Sequence, residues 1–174
     1  PNPVVMFEHK GLYWSKVPGT EGAKCPEPSD DYMVPLGKAR TVQAASEEAV
    51  RYGESMAIIT YGMGVYWALN ASKQFEGKVE VIDLRTLSPC DDEAIYAAAR
   101  KHGKVMVLTE ETLRNSFAEA IAGRIQKHCF MHLDAPVETK LSRAKLALEG
   151  VTPTELLQER MRYFKQPRDI SVRV

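Results

Sequence analysis

From Ser46 onward, short apolar runs alternate with segments of helical periodicity, and this alternation limits the fold more than any other feature. "SMAIITYG" (55–62), "KVEVIDL" (78–84), "KVMVLTE" (104–110) and "APVETKLS" (135–142) read as strands. The first three are nearly continuous in apolar character, as expected of strands covered on both faces. Between them lie "GVYWALNASKQF", with Val65, Leu69, Ser72 and Phe75 on one side and Ala68 beside them, "DDEAIYAAARKHG" (91–103), and "SFAEAIAGRIQKH" (116–128). The 91–103 segment carries acids in its first turn, bases in its last and Gly103 as its stop, in accord with the helix dipole. Phe117, Ile121 and Ile125 repeat every four residues in the 116–128 segment. "VTPTELLQERMRYF" closes the series, with Thr152 and Glu155 spaced as a capping box and Pro153 at the first helical position. The order predicts an α/β fold: a mostly parallel open sheet with helices on both faces.

The first 45 residues do not fit that pattern. Pro1-Asn2-Pro3 leads directly into "VVMF", so Val4–Phe7 reads as a buried strand whose sheet partners would lie upstream of Pro1. Ser15 to Arg40 contains Pro18, Pro26, Pro28 and Pro35 and reads as a long loop, uncommon inside a compact domain. The expected organisation is a remnant of an upstream domain over 1–14, a connector over 15–45 and a domain over 46–174.

Composition excludes several functions. Lys plus Arg and Asp plus Glu are both 23, so no basic excess points to nucleic acid. Even "LQERMRYFKQPRD", the longest mixed cluster, contains acids. No run approaches the roughly 20 apolar residues that span a bilayer, and no signal-peptide pattern opens the chain. Cys25, Cys90 and Cys129 are odd in number and widely spaced, which suits a reducing compartment and supports neither a disulfide framework nor a CxxC metal site.

Chemical motifs are sparse. Gly62 and Gly64 follow a strand and precede a helix, but Trp67 stands where a dinucleotide fingerprint needs its third glycine. They read as a tight turn, and Asp83 as a ribose-binding acid has little behind it. His128 and His132, with Cys129 and His102, lack a third ligand for zinc. Cys90 sits at a helix start, but Asp91 and Asp92 oppose a thiolate there. Glu110 and Glu111 end a strand at its carboxyl end, where ligands gather in open α/β sheets, and Arg114 and Asn115 follow. They are candidates for a pocket or subunit-contact loop. Glu8, His9 and Lys10 end the first apolar run and read as structural residues near a domain or subunit boundary.

The stretches "NPVVMFEHKGLYW", "VPLGKARTV", "AIITYGMGVYWAL", "VEVIDLRTLSPCDDEAI" and "GKVMVLTEE" together resemble the beta subunit of thiamine-diphosphate-dependent 2-oxo acid dehydrogenases, the first components (E1) of the pyruvate and branched-chain complexes. The resemblance extends over roughly residues 1–138. It implies a pyrimidine-binding domain upstream, with 1–14 as its last strand and loop, and a transketolase C-terminal domain over 46–174. The glutamate that activates the cofactor and the active-site histidine would both lie upstream of Pro1. Thiamine diphosphate and magnesium would serve the full assembly, with none expected on this chain alone, which is therefore expected to be inactive by itself. Implied partners are an E1 alpha subunit or fused equivalent, another E1 beta-like chain and the acyltransferase (E2) core, with no nucleic acid and no membrane. The implied location is the cytoplasm, or the mitochondrial matrix if eukaryotic. Glu110, Glu111, Arg114 and Asn115 match a loop that approaches the active-site entrance of a neighbouring subunit.

Two stretches depart from the family pattern. Asn115, Ser116 and Ala118 stand where a glycine-rich cluster commonly opens the third helix, and "KLSRAKLALEGVTPTELLQERM" replaces a proline-rich tail. A standalone non-catalytic interaction domain of the same fold, or part of a transketolase-like enzyme, are the alternatives.

Overall fold

The computed structural model describes residues 3, 5, 8–14 and 17–140. Five strands form one sheet: β1 (Arg40–Gln43), β2 (Met56–Thr60), β3 (Val79–Asp83), β4 (Val105–Leu108) and β5 (Glu138–Lys140), in the order β1-β3-β2-β4-β5. β2, β3, β4 and β5 are parallel, and β1 pairs antiparallel with β3 at one edge. The expected mostly parallel sheet is therefore present.

The register explains why both faces are apolar. Ile58 lies opposite Val81 on one side and Met106 on the other, and these three point to one face. α3 (Met63–Ser72) covers that face through Ala68 and Ala71. Ile59, opposite Ile82 and Val107, points to the other face. There α4 (Asp92–His102) and α5 (Phe117–Cys129) pack Ile95, Ala99, Ile121 and Ile125 against Ile59 and Val107. Fully burying an isoleucine of this kind contributes about 1.5–3 kcal/mol. Chain order and strand order together place a switch point between β2 and β4: the chain leaves β2 for β3 on one side, then crosses back to β4 on the other.

Local capping follows the sequence. Asp91 accepts from the amide of Ala94 at the start of α4, and Gly103 takes the left-handed conformation that ends it. Ser116 caps α5 through the amide of Glu119. The same rule starts α2 (Glu47–Arg51), a short helix absent from the sequence reading, where Ser46 accepts from Ala49.

Three expectations change. Arg40–Gln43, read as part of the connector, is an edge strand of the sheet; its sequence, RTVQ, has no apolar run because its residues are exposed or half-buried. The helix after Gly62 ends at Ser72, and its buried residues are Met63, Gly64, Val65, Ala68, Ala71 and Ser72, with Leu69 and Phe75 only partly covered. Glu8 to Lys10 lead into a single helical turn, α1 (Lys10–Tyr13). Of the expected strand Val4–Phe7, Val4, Met6 and Phe7 lie outside the described residues, and Val5 is exposed and in no strand. Residues 141–142 of the last expected strand and the segment with Thr152 and Glu155 also lie outside the described residues. No helix among the described residues is long and apolar enough to cross a membrane.

Candidate functional site

The carboxyl ends of β2 and β4 lie side by side, so the residues that follow them, Tyr61 and Thr109, converge at the switch point. This is the location where open α/β sheets gather ligands. The Tyr61 hydroxyl is 2.9 Å from Thr109 Oγ1 and donates to Glu111 Oε1 at 2.6 Å. Burial, and then the hydrogen bond to Glu111, push the Tyr61 phenol up to about 12, while Thr109 acts in the opposite direction. The same Glu111 oxygen accepts from the backbone amide of Phe117 at 3.0 Å, at the start of α5. The Phe117 ring meets Tyr61 edge-on at 6.3 Å, and the Arg124 guanidinium lies 5.7 Å from its centre. Glu111 is therefore a fixed strut between the end of β2 and the start of α5.

Glu110 points elsewhere. Its Oε2 lies 2.7 Å from Nε2 of His9, which caps α1. Two stretches singled out separately in the sequence, "EHK" and "TEE", thus meet through one hydrogen bond across 101 residues. Arg114 and Asn115 are exposed on the loop that follows. Asn115 has φ of 59°, and its amide donates to Glu119 Oε2 at 2.9 Å. Asparagine tolerates this left-handed conformation better than most residues, so it supplies the backbone geometry of a glycine without being one. Glu8 and Lys10 are exposed on either side of His9.

Tyr61 and Thr109 were not singled out in the sequence, and Phe117 was read only as part of the apolar face of its helix. Their signal is topological: Tyr61 and Thr109 are the first residues after two strands that become neighbours only through the crossover.

The remaining motifs are occupied structurally. Gly62 has φ of 58° at the turn into α3. A Cβ on Gly64 would stand 2.0 Å from Thr60 Oγ1, so this glycine serves close packing. Asp83 Oδ1 accepts from the amide of Arg85, and burial raises its carboxyl. The His128 ring lies tilted against Tyr96 at 5.0 Å, Cys129 is buried with its Sγ 3.8 Å from the Tyr96 carbonyl, and His102, the last residue of α4, is buried with its ring 2.7 Å from Ser55 Oγ. No group of three histidine, cysteine, aspartate or glutamate residues could hold a metal among the described residues. Burial raises the Cys90 thiol, which argues against a thiolate.

The family model for the transketolase C-terminal domain matches residues 46–157. The 2-oxoisovalerate dehydrogenase subunit beta of Bacillus subtilis is 39% identical over 140 residues, covering 79% of this chain and 38% of that protein. The pyruvate dehydrogenase E1 component subunit beta of Rhizobium meliloti is 32% identical over 143 residues, covering 80% and 28%. This chain spans under two fifths of the length of either relative. Among solved structures, an inactive beta4 tetramer of a split-gene transketolase superposes with a TM-score of 0.60 at 21% identity, covering 81% of this chain and 47% of that one, a likeness of fold.

Proposed function

Because the chain belongs to the transketolase C-terminal domain family, with E1 beta subunits of 2-oxo acid dehydrogenases among its relatives, we propose that it is the C-terminal, assembly-forming part of such a first component. The whole enzyme would decarboxylate a 2-oxo acid, pyruvate or branched-chain, and pass the acyl group to a lipoyl arm. Residues 1–14 would derive from the pyrimidine-binding domain, 15–39 would connect, and 40–174, with the edge strand β1, would form the C-terminal domain. The observation that carries the reading is that the adjacent residues Glu110 and Glu111, just after β4, bond to His9 and to Tyr61 respectively. Three of the family-like stretches contribute to these two contacts, and the loop that follows is largely exposed.

The cluster does not fit the cofactor itself. Glu110 and Glu111 would repel a diphosphate, and Arg114 is the sole cation on the loop between Thr109 and Phe117. No metal-binding group of three stands among the described residues. Thiamine diphosphate and magnesium would accordingly be held by other parts of the assembly. The work of this chain's residues is positional: Tyr61 and Thr109 fix Glu111, Glu111 fixes the start of α5, and the loop over Thr112–Asn115 is left to face a neighbouring subunit. An E1 alpha subunit or fused equivalent, a second beta-like chain and the acyltransferase core are the proposed partners.

Calorimetry of the 174-residue chain with thiamine diphosphate and magnesium tests the division of labour. The reading expects no micromolar binding and no decarboxylation by the chain alone. Micromolar binding would overturn it.

A further inference from the structure

His9 joins two elements through one imidazole. Its carbonyl accepts from the amides of Leu12 and Tyr13, and its Nδ1 accepts from the Leu12 amide at 3.2 Å, closing the α1 turn. Its Nε2 lies 2.7 Å from Glu110 Oε2. A backbone amide can only donate, so Nδ1 must be bare; a carboxylate can only accept, so Nε2 must carry the proton. A single neutral tautomer satisfies both bonds. The opposite tautomer breaks both, and a doubly protonated ring turns an N–H against the Leu12 amide.

The surroundings hold this arrangement in place. A Cβ on Gly11 would lie 3.1 Å from His9 Cε1 and 3.5 Å from the Met63 methyl, so α1 rests on the imidazole and on the first residue of α3. The turn therefore lies across the switch point, between the start of α3 and the carboxyl end of β4. Glu110 is itself held by its neighbour, since Glu111 is bonded to Tyr61 and Phe117.

We propose that His9 is a positioning residue, a tautomer-locked latch that ties α1 to Glu110 and presets the loop over Glu110–Ser116. Its consequence for access rests on the reading above, that this loop borders an active-site entrance. With the latch closed, the Glu110 carboxylate is engaged by His9 and α1 is held beside the start of α3. With it open, Glu110 is free for a cationic group on a neighbouring subunit.

Two variants separate the two bonds. His9→Asn retains an N-cap acceptor for Leu12 but is too short to reach Glu110. Glu110→Ala removes the acceptor and leaves the cap. Both positions are exposed, so the sheet and its core are untouched. Nitrogen-15 spectra of the full 174-residue chain should show His9 as the Nε2–H tautomer. Hydrogen exchange at the amides of 111–116 should quicken about 10-fold in either variant, as expected for the loss of one hydrogen bond. The double variant should be no faster than either single one, and Leu12 should stay protected in His9→Asn. A mixed or opposite tautomer, or additive effects, would overturn the latch. Sedimentation with an E1 alpha subunit keeps the two readings apart. A locked tautomer without association would sink the functional reading alone, and association with a mixed tautomer would sink the latch alone.

Discussion

Replacing Glu80 by glutamine should remove one of the largest single electrostatic contributions to this fold. Glu80 sits in β3, only 5% exposed, beneath the last turn of α4. Its Oε2 accepts from Lys101 Nζ at 2.5 Å, and its Oε1 is 3.5 Å from Nε2 of the buried His102. The approach of the His102 ring, and then the Lys101 hydrogen bond, hold the carboxyl at about 2 against an ordinary 4.5, despite burial acting in the opposite direction. A depression of that size is worth ~3 kcal/mol at pH 7. Its sign follows from the direction. The contribution is complete above the unfolded value of 4.5 and disappears as pH falls through about 2. By linkage, ~1.4 kcal/mol of it survives at pH 3. Urea unfolding of wild type and Glu80→Gln at pH 7 and pH 3 measures both numbers. The gap should be about 3 kcal/mol at pH 7 and shrink by roughly half at pH 3. A gap of the same size at both pH values, or none at pH 7, would refute the account of this network.

Three further outcomes follow from contacts of the same kind. Asp91→Ala removes the α4 cap and also the acceptor of the Ala39 amide, at 2.9 Å, and should cost about 2–3 kcal/mol in urea unfolding. Gly64→Ala should lose about 2 kcal/mol because its Cβ meets Thr60 Oγ1, and Thr60→Ala in the same chain should recover much of that loss by thermal melting. Tyr61→Phe should cost about 1–2 kcal/mol and delete one late-titrating tyrosine. Since the folded value is raised to about 12, the stabilisation present below pH 10 is lost as pH rises through 12, and ultraviolet titration reads the missing component.

The sheet was legible where strands were buried on both faces, because a continuous apolar run needs no partner information to be recognised. β1 was not, since RTVQ lies at an edge and exposes half its residues. Glu110 and Glu111 were legible as candidates from their position just after a strand. Their partners were not. Tyr61 and Thr109 adjoin because β3 and β4 leave β2 on opposite sides, a consequence of crossover geometry. His9 and Glu110 lie 101 residues apart, and nothing local in either stretch announces the contact. Asn115 marks a similar limit. Its sequence suggests a lost glycine, yet its φ of 59° lies in the left-handed region that glycine adopts freely.

We have proposed that this chain forms the assembling, non-chemical part of a 2-oxo acid dehydrogenase first component. Sedimentation velocity of the chain mixed with the E1 alpha subunit from the same source tests it most directly. The account predicts a co-sedimenting complex that weakens when Glu111, the strut of the switch-point loop, is replaced by alanine. Separate sedimentation of the two chains at micromolar concentration would contradict it.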